Sequence, residues 1–146
     1  MANPELREVL LVEDNEIDAE LTILALKKFS LLNPVVHLND GGQALDYLFC
    51  RGLYAGRPRA NPCVILLDLA LPKVHGIDLL RAIRANPWTS GIPVFVLTSS
   101  RNEEDFADAR RFEATDLLPK PVEFVDFAGV IAKAKLDWGL FTHEEA

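Results

Sequence analysis

At 146 residues, the chain has the length of one ordinary domain and enough material for a real core. Hydrophobic residues make up 49% and charged residues 25%, which excludes a disordered or collagen-like chain. No apolar run approaches a membrane span, the first residues lack a basic-then-apolar signal, and a net charge of −7 argues against a broad nucleic-acid surface.

The first predicted strand, about 7–12, carries Val9-Leu10-Leu11-Val12 and ends on the acidic doublet Glu13-Asp14. A helix follows over about 16–30, where Ile17, Leu21, Leu24 and Ala25 recur at helical spacing. Asn15 is its natural N-cap, with Asp18 in the place of a capping-box acid. Residues 34–38 form a short strand, and Gly41-Gly42 opens a helix to about Cys50. The stretch 53–62, with Gly56, Pro58, Pro62 and two arginines, reads as a loop. Residues 63–68 are an apolar run without polar alternation, the signature of a strand buried on both faces, and they end on Asp68. Residues 76–86 are helical and stopped by Pro87. Strand four, 92–98, ends on Thr98, and a helix over about 102–112 is capped by Asn102. A fifth strand, 115–118, leads through Lys120-Pro121 into a helix over about 122–138. Five strands alternating with five helices imply an α/β chain with a doubly wound parallel sheet and right-handed crossovers.

The chemistry-bearing residues are ordinary one at a time. Glu13-Asp14 can cap a helix and favour its dipole, Asp68 can form a turn, Thr98 is a good strand residue, and Lys120 suits a solvated surface. Together they all lie at the carboxyl ends of parallel strands, where open α/β sheets bind their ligands. With strand order 2-1-3-4-5, strands one, three, four and five are neighbours and the groups converge. Packed carboxylates repel and raise one another's pKa unless a cation neutralises them, and Mg²⁺ suits such oxygen donors. A carboxylate can accept a phosphoryl group as an acyl phosphate, with a lysine and a hydroxyl on the transferred oxygens.

In this arrangement the chain resembles the receiver domains of two-component response regulators. The matching residues are Val-Glu-Asp-Asn (12–15), Leu-Leu-Asp-Leu-Ala-Leu-Pro-Lys (66–73), Gly76, Val-Leu-Thr-Ser (96–99) and Pro-Lys-Pro (119–121), in order over roughly residues 6–136. The resemblance implies a flavodoxin-like fold and a single receiver domain over 1–146, with a C-terminal extension over about 137–146. It further implies that Asp68 is the phosphoacceptor, that Asp14, Asp68 and the Ala70 carbonyl ligate Mg²⁺, and that Glu13 holds metal-bound water. Thr98 would be the switch hydroxyl, Lys120 the phosphoryl clamp, and Lys120-Pro121 a cis peptide. The donor would be a phosphohistidine on a sensor histidine kinase, so the chain would be a signalling phosphoacceptor rather than an enzyme. The stretch Tyr-Leu-Phe-Cys-Arg-Gly-Leu-Tyr-Ala-Gly-Arg-Pro (47–58) and the lack of an output domain look like the stand-alone regulators of bacterial phytochromes.

The chain also departs from the family pattern. Ala70 and Ser100 occupy the two positions that shape water access, and His75 stands where aspartate commonly precedes the glycine. Leu117 replaces the usual Tyr or Phe that rotates with the threonine.

Other readings fit less well. A flavodoxin-type FMN binder needs a hydroxyl- and glycine-rich phosphate loop where Glu13-Asp14 stands. A phosphohydrolase resembling haloacid dehalogenases needs a second aspartate at Ala70. A phosphorylation-independent interaction module on the same fold stays open.

In the last helix, Phe124, Phe127, Ile131 and Ala134 can face the core. Val125, Ala132, Leu136 and Leu140, followed by Trp138 and Phe141, form a second apolar set. That set either folds back over the core or forms a two-fold dimer contact, the latter being the expectation. The expected setting is cytoplasmic, with Cys50 and Cys63 reduced, no membrane and no nucleic-acid partner. His37, His75 and His143 are too scattered for a zinc site.

Overall fold

A computed structural model of the chain describes residues 7–28, 31–58, 60–71, 74–98, 103–120, 122 and 129. Its elements are β1 (Val9–Val12), α1 (Glu16–Lys28), β2 (Val35–Leu38), α2 (Gly41–Leu48), β3 (Val64–Asp68), α3 (Gly76–Ala85), β4 (Val94–Thr98), α4 (Glu103–Arg111) and β5 (Asp116–Pro119). The strands form one parallel sheet in the order β2-β1-β3-β4-β5. This is the expected flavodoxin-like architecture. The predicted fifth helix, 122–138, lies almost wholly outside the described residues, so four α-helices are seen where five were expected.

The sheet forms because β1, β3 and β4 are buried at every position and apolar up to the Asp68 and Thr98 that end β3 and β4. Their side chains alternate between two cores. Leu10, Val12, Ile65, Leu67, Val94 and Val96 pack with α2 and α3 residues such as Leu48, Leu79 and Ile83. Val9, Leu11, Val64, Leu66, Phe95 and Leu97 pack with Ala19, Ala25 and Leu26 of α1.

Helix α1 turns a different face inward from the one its periodicity suggests. It buries Ala19, Thr22, Ala25 and Leu26, while Ile17, Leu21 and Leu24 are 69%, 41% and 53% exposed. Its inward face is thus made of small residues and Leu26, and three larger apolar residues are left outside.

The stretch expected to be a plain loop is tied to the amino-terminal end of the sheet. It opens with a 3-10 turn over Gly52–Tyr54. The Arg57 guanidinium stacks on the Tyr47 ring with its central carbon 3.8 Å from the centroid. It also donates to the carbonyls of Tyr47 (2.9 Å) and Ala60 (2.6 Å) and to Glu8 Oε1 (3.2 Å). The Tyr47 hydroxyl donates to the same Glu8 carboxylate.

Candidate functional site

Register brings the site together. Val12 lies beside Leu67 and Asp68 beside Leu97, while Thr98 is level with Pro119. The residues that end or follow these strands therefore emerge together at the carboxyl end of the sheet. The Glu13 N–H donates to the Leu38 carbonyl at 3.0 Å, and the Lys120 N–H donates to the Thr98 carbonyl at 3.0 Å, extending the ladders by one step.

Glu13, Asp14 and Asp68 each offer a carboxylate oxygen, and these lie within 4.8 Å of one another. Glu13 and Asp68 are buried and Asp14 is exposed. The Lys120 ammonium joins them, with Nζ 2.9 Å from Glu13 Oε1, 3.1 Å from Asp18 Oδ2 and 3.2 Å from Asp68 Oδ1. Burial, followed by the hydrogen bond and charge of Asp68, pushes the Glu13 carboxyl up from 4.5 to about 7 against the opposing pull of Lys120. Burial alone would lower the Lys120 ammonium, but its bonds to Glu13 and Asp18 and the charge of Asp68 raise it above its ordinary value. Among the described residues, three carboxylates, Glu13, Asp18 and Asp68, thus share one ammonium, and Asp14 adds a fourth beside Glu13 and Asp68. An excess of closely spaced carboxylate oxygen suits a hard divalent cation, and the donor set of Glu13, Asp14 and Asp68 fits one.

The surrounding groups fix this geometry. The Ala70 N–H reaches Asp68 Oδ1 at 3.3 Å, and Ala70 itself is exposed. Thr98 is buried at the end of β4. Gly76 packs on the end of β3, since a Cβ there would come within 2.4 Å of the Asp68 carbonyl oxygen and 2.6 Å of Leu69 Cα. His75, the departure before that glycine, caps α3 by accepting the Ile77 N–H on Nδ1 at 3.2 Å. Leu117 is half-buried and packs against the core on the α2–α3 side.

Glu13, Asp14, Asp68 and Lys120 therefore meet at the carboxyl end of the sheet, where Thr98 ends β4. Pro121, Ser100 and the apolar set Val125, Ala132, Leu136, Trp138, Leu140 and Phe141 lie outside the described residues. Two neighbours were not read as site residues. His37 on β2 has Nε2 2.8 Å from the Glu13 carbonyl oxygen, which its register opposite Leu11 makes possible. Asp18 was read only as a capping acid. Asn15 does cap α1, accepting the Asp18 N–H at 3.0 Å, but the reciprocal bond is absent. The Asn15 N–H goes to Glu13 Oε2 at 3.2 Å, and the Asp18 carboxylate turns to Lys120.

Known proteins resemble this chain in sequence and fold. The bacteriophytochrome response regulator AtBRR is 46% identical, with a TM-score of 0.83 over 94% of this chain and 99% of its own. The bacteriophytochrome response regulator RtBRR is 42% identical, with a TM-score of 0.84 over 94% of this chain and 82% of its own. Response regulator Rcp1 of Synechocystis sp. (strain ATCC 27184 / PCC 6803 / Kazusa) is 35% identical over 130 residues, 89% of this chain and 87% of Rcp1. A crystal structure of Rcp1 in its Mn²⁺-bound form aligns with a TM-score of 0.75 at 34% identity, over 91% of this chain and 94% of that one. The family model described as the response regulator receiver domain matches residues 9–132. A buried aspartate that ends the third strand, beside two acids and a lysine from neighbouring strand ends, thus has its place in a known lineage: the chain belongs to the response regulator receiver domain family.

Proposed function

We propose that Asp68 is the phosphoacceptor of this signalling domain and takes its phosphoryl group from a phosphohistidine of a sensor histidine kinase. The observation that carries this reading is the Asp68 carboxylate, buried at the end of β3 with Lys120 Nζ 3.2 Å from Oδ1 and the Glu13–Asp14 pair beside it. An Asp68 oxygen attacks phosphorus in line, the P–N bond breaks, and the imidazole nitrogen leaves with the electron pair. Mg²⁺, held by Asp14 and Asp68 with the Ala70 carbonyl and by Glu13 through water, would offset the charge of an anionic donor nearing an anionic acceptor. Lys120 binds a phosphoryl oxygen, and the Thr98 hydroxyl donates to another and reports the modification to the rest of the domain.

The likeness to AtBRR and RtBRR supports a bacteriophytochrome as the kinase, and the unpaired thiols Cys50 and Cys63 support a cytoplasmic setting. Self-association through Val125, Ala132, Leu136, Trp138, Leu140 and Phe141 would give a signalling route that needs no aromatic at Leu117. Sedimentation of the full chain against one ending after Lys135 tests that part. The test of the central reading is intact mass after incubation with acetyl phosphate and Mg²⁺. The wild type gains one phosphoryl group and Asp68→Asn none; equal labelling of both would refute it.

A further inference from the structure

Of the three carboxylates around the Lys120 ammonium, Asp18 alone is outside the Glu13–Asp14–Asp68 cluster. The ammonium donates to Glu13 Oε1 and Asp18 Oδ2, and Asp68 Oδ1 lies 3.2 Å away as an ion-pair partner. Asp18 holds the third position of α1, where an acid ordinarily reaches back to the N–H of the cap residue. Glu13 Oε2 has taken that N–H, which leaves the Asp18 carboxylate available to Lys120, 102 residues away in sequence. The Asp18 backbone is pinned on both sides. Its N–H donates to Asn15 Oδ1 at 3.0 Å, and its carbonyl accepts from the hydroxyl of buried Thr22 at 3.0 Å. The carboxylate is thus presented from a fixed turn of helix, with its side chain only 33% exposed.

We infer that Asp18 is a positioning residue for phosphoryl transfer, holding the Lys120 ammonium at a fixed point beside Asp68 while the acceptor carboxylate is consumed. The inference rests on the reading of Asp68 as phosphoacceptor and Lys120 as its phosphoryl-binding partner. During transfer one Asp68 oxygen becomes the bridging oxygen of an acyl phosphate and a poor acceptor, and the Lys120 ammonium that faced the carboxylate turns to a phosphoryl oxygen. Glu13 is shared with the acidic cluster. Asp18 keeps its full charge and takes part in neither role, so it anchors a long side chain that would otherwise sample several rotamers.

The test uses the full chain with acetyl phosphate as donor and Mg²⁺, and compares wild type with Asp18→Ala, Asp18→Asn and Asp18→Glu. At saturating donor, Asp18→Ala is expected to label about fivefold more slowly, ~1 kcal/mol of barrier, with the half-saturating donor concentration unchanged within about twofold. Asp18→Glu recovers most of the rate and Asp18→Asn less, because charge as well as shape anchors an ammonium. Mg²⁺ affinity by calorimetry stays within about twofold, because Asp18 is outside the acidic cluster. The side-chain NMR resonances of Lys120 shift in Asp18→Ala toward those of an exposed lysine. Wild-type labelling in Asp18→Ala with an unmoved Lys120 resonance overturns this inference alone. So does a slowing that Asp18→Glu fails to recover and that follows a fall in thermal midpoint. A wild-type chain that takes no phosphoryl group on Asp68 overturns the phosphoacceptor reading and this inference with it.

Discussion

The α-carbon of Gly76 sits so close to Asp68 that a Cβ built on it would lie 2.4 Å from the Asp68 carbonyl oxygen. Backbone cannot retreat the way a flexible side chain can, so even one methyl group must displace the acceptor strand or α3. Gly76→Ala is expected to destabilise the fold by about 1–3 kcal/mol, as overpacking does, and to slow labelling of Asp68. Urea unfolding and acetyl phosphate labelling measured on the same preparation check both effects. A variant as stable as wild type would mean that the contact relaxes without cost.

Asp14 is the exposed member of the acidic cluster, so it can be removed with little effect on packing. Asp14→Ala should lose Mg²⁺ affinity and labelling together while unfolding at nearly the wild-type urea concentration. Excess chelator should abolish labelling of the wild type, because a donor approaching uncompensated carboxylates in a partly buried site is repelled by several kcal/mol, ~4 at short range. Equal labelling with and without chelator would contradict the mechanism.

Ala70 is exposed beside the acceptor and brings only its backbone N–H to Asp68 Oδ1, at 3.3 Å. It has no side-chain polar group to orient an attacking water. Ala70→Asn should therefore shorten the lifetime of the aspartyl phosphate, on the order of tenfold or ~1.4 kcal/mol of barrier. Decay of the labelled mass after donor removal measures it, and an unchanged or longer lifetime counts against the idea.

At the opposite end of the sheet, Arg57 joins the Tyr47 ring, two carbonyls and the Glu8 carboxylate. Arg57→Ala should cost about 2–3 kcal/mol, the scale of charge-assisted hydrogen bonds plus a partly desolvated cation–π contact. Arg57→Lys should recover little, since an ammonium cannot stack and fork in the same way. Urea midpoints report the loss, while the labelling rate of Asp68 should stay at the wild-type value.

Tyr47 makes that cluster sensitive to alkali. Burial, with the Glu8 hydrogen bond second, pushes the phenol up from 10.0 to about 12. The folded chain holds this proton more tightly than the unfolded chain does. The stability it contributes is therefore complete below pH 10 and is lost as pH rises toward 12, by about 2 kcal/mol. Urea unfolding at pH 9 and 11.5 should show this slope in the wild type and a smaller one in Tyr47→Phe.

The sequence by itself determined the sheet and the residues at its edge. Strands buried on both faces must be apolar throughout, so Val64–Asp68 and Val94–Thr98 are legible as short unbroken runs, and the polar residue that ends each run is fixed at the ligand-binding edge. Periodicity also located α1, because spacing is a local property. Which face of α1 turns inward is not local. Ile17, Leu21 and Leu24 lie outside, and Ala19, Thr22, Ala25 and Leu26 are the buried face. Only the tertiary structure turned Asp18 from a cap into a partner of Lys120, since Glu13 satisfies the Asn15 N–H first. Likewise, Arg57 reads as one charge in a loop until the fold brings Glu8 and Tyr47 beneath it. Each of these depends on a contact between segments far apart in sequence, and their geometry is set only once the sheet has formed.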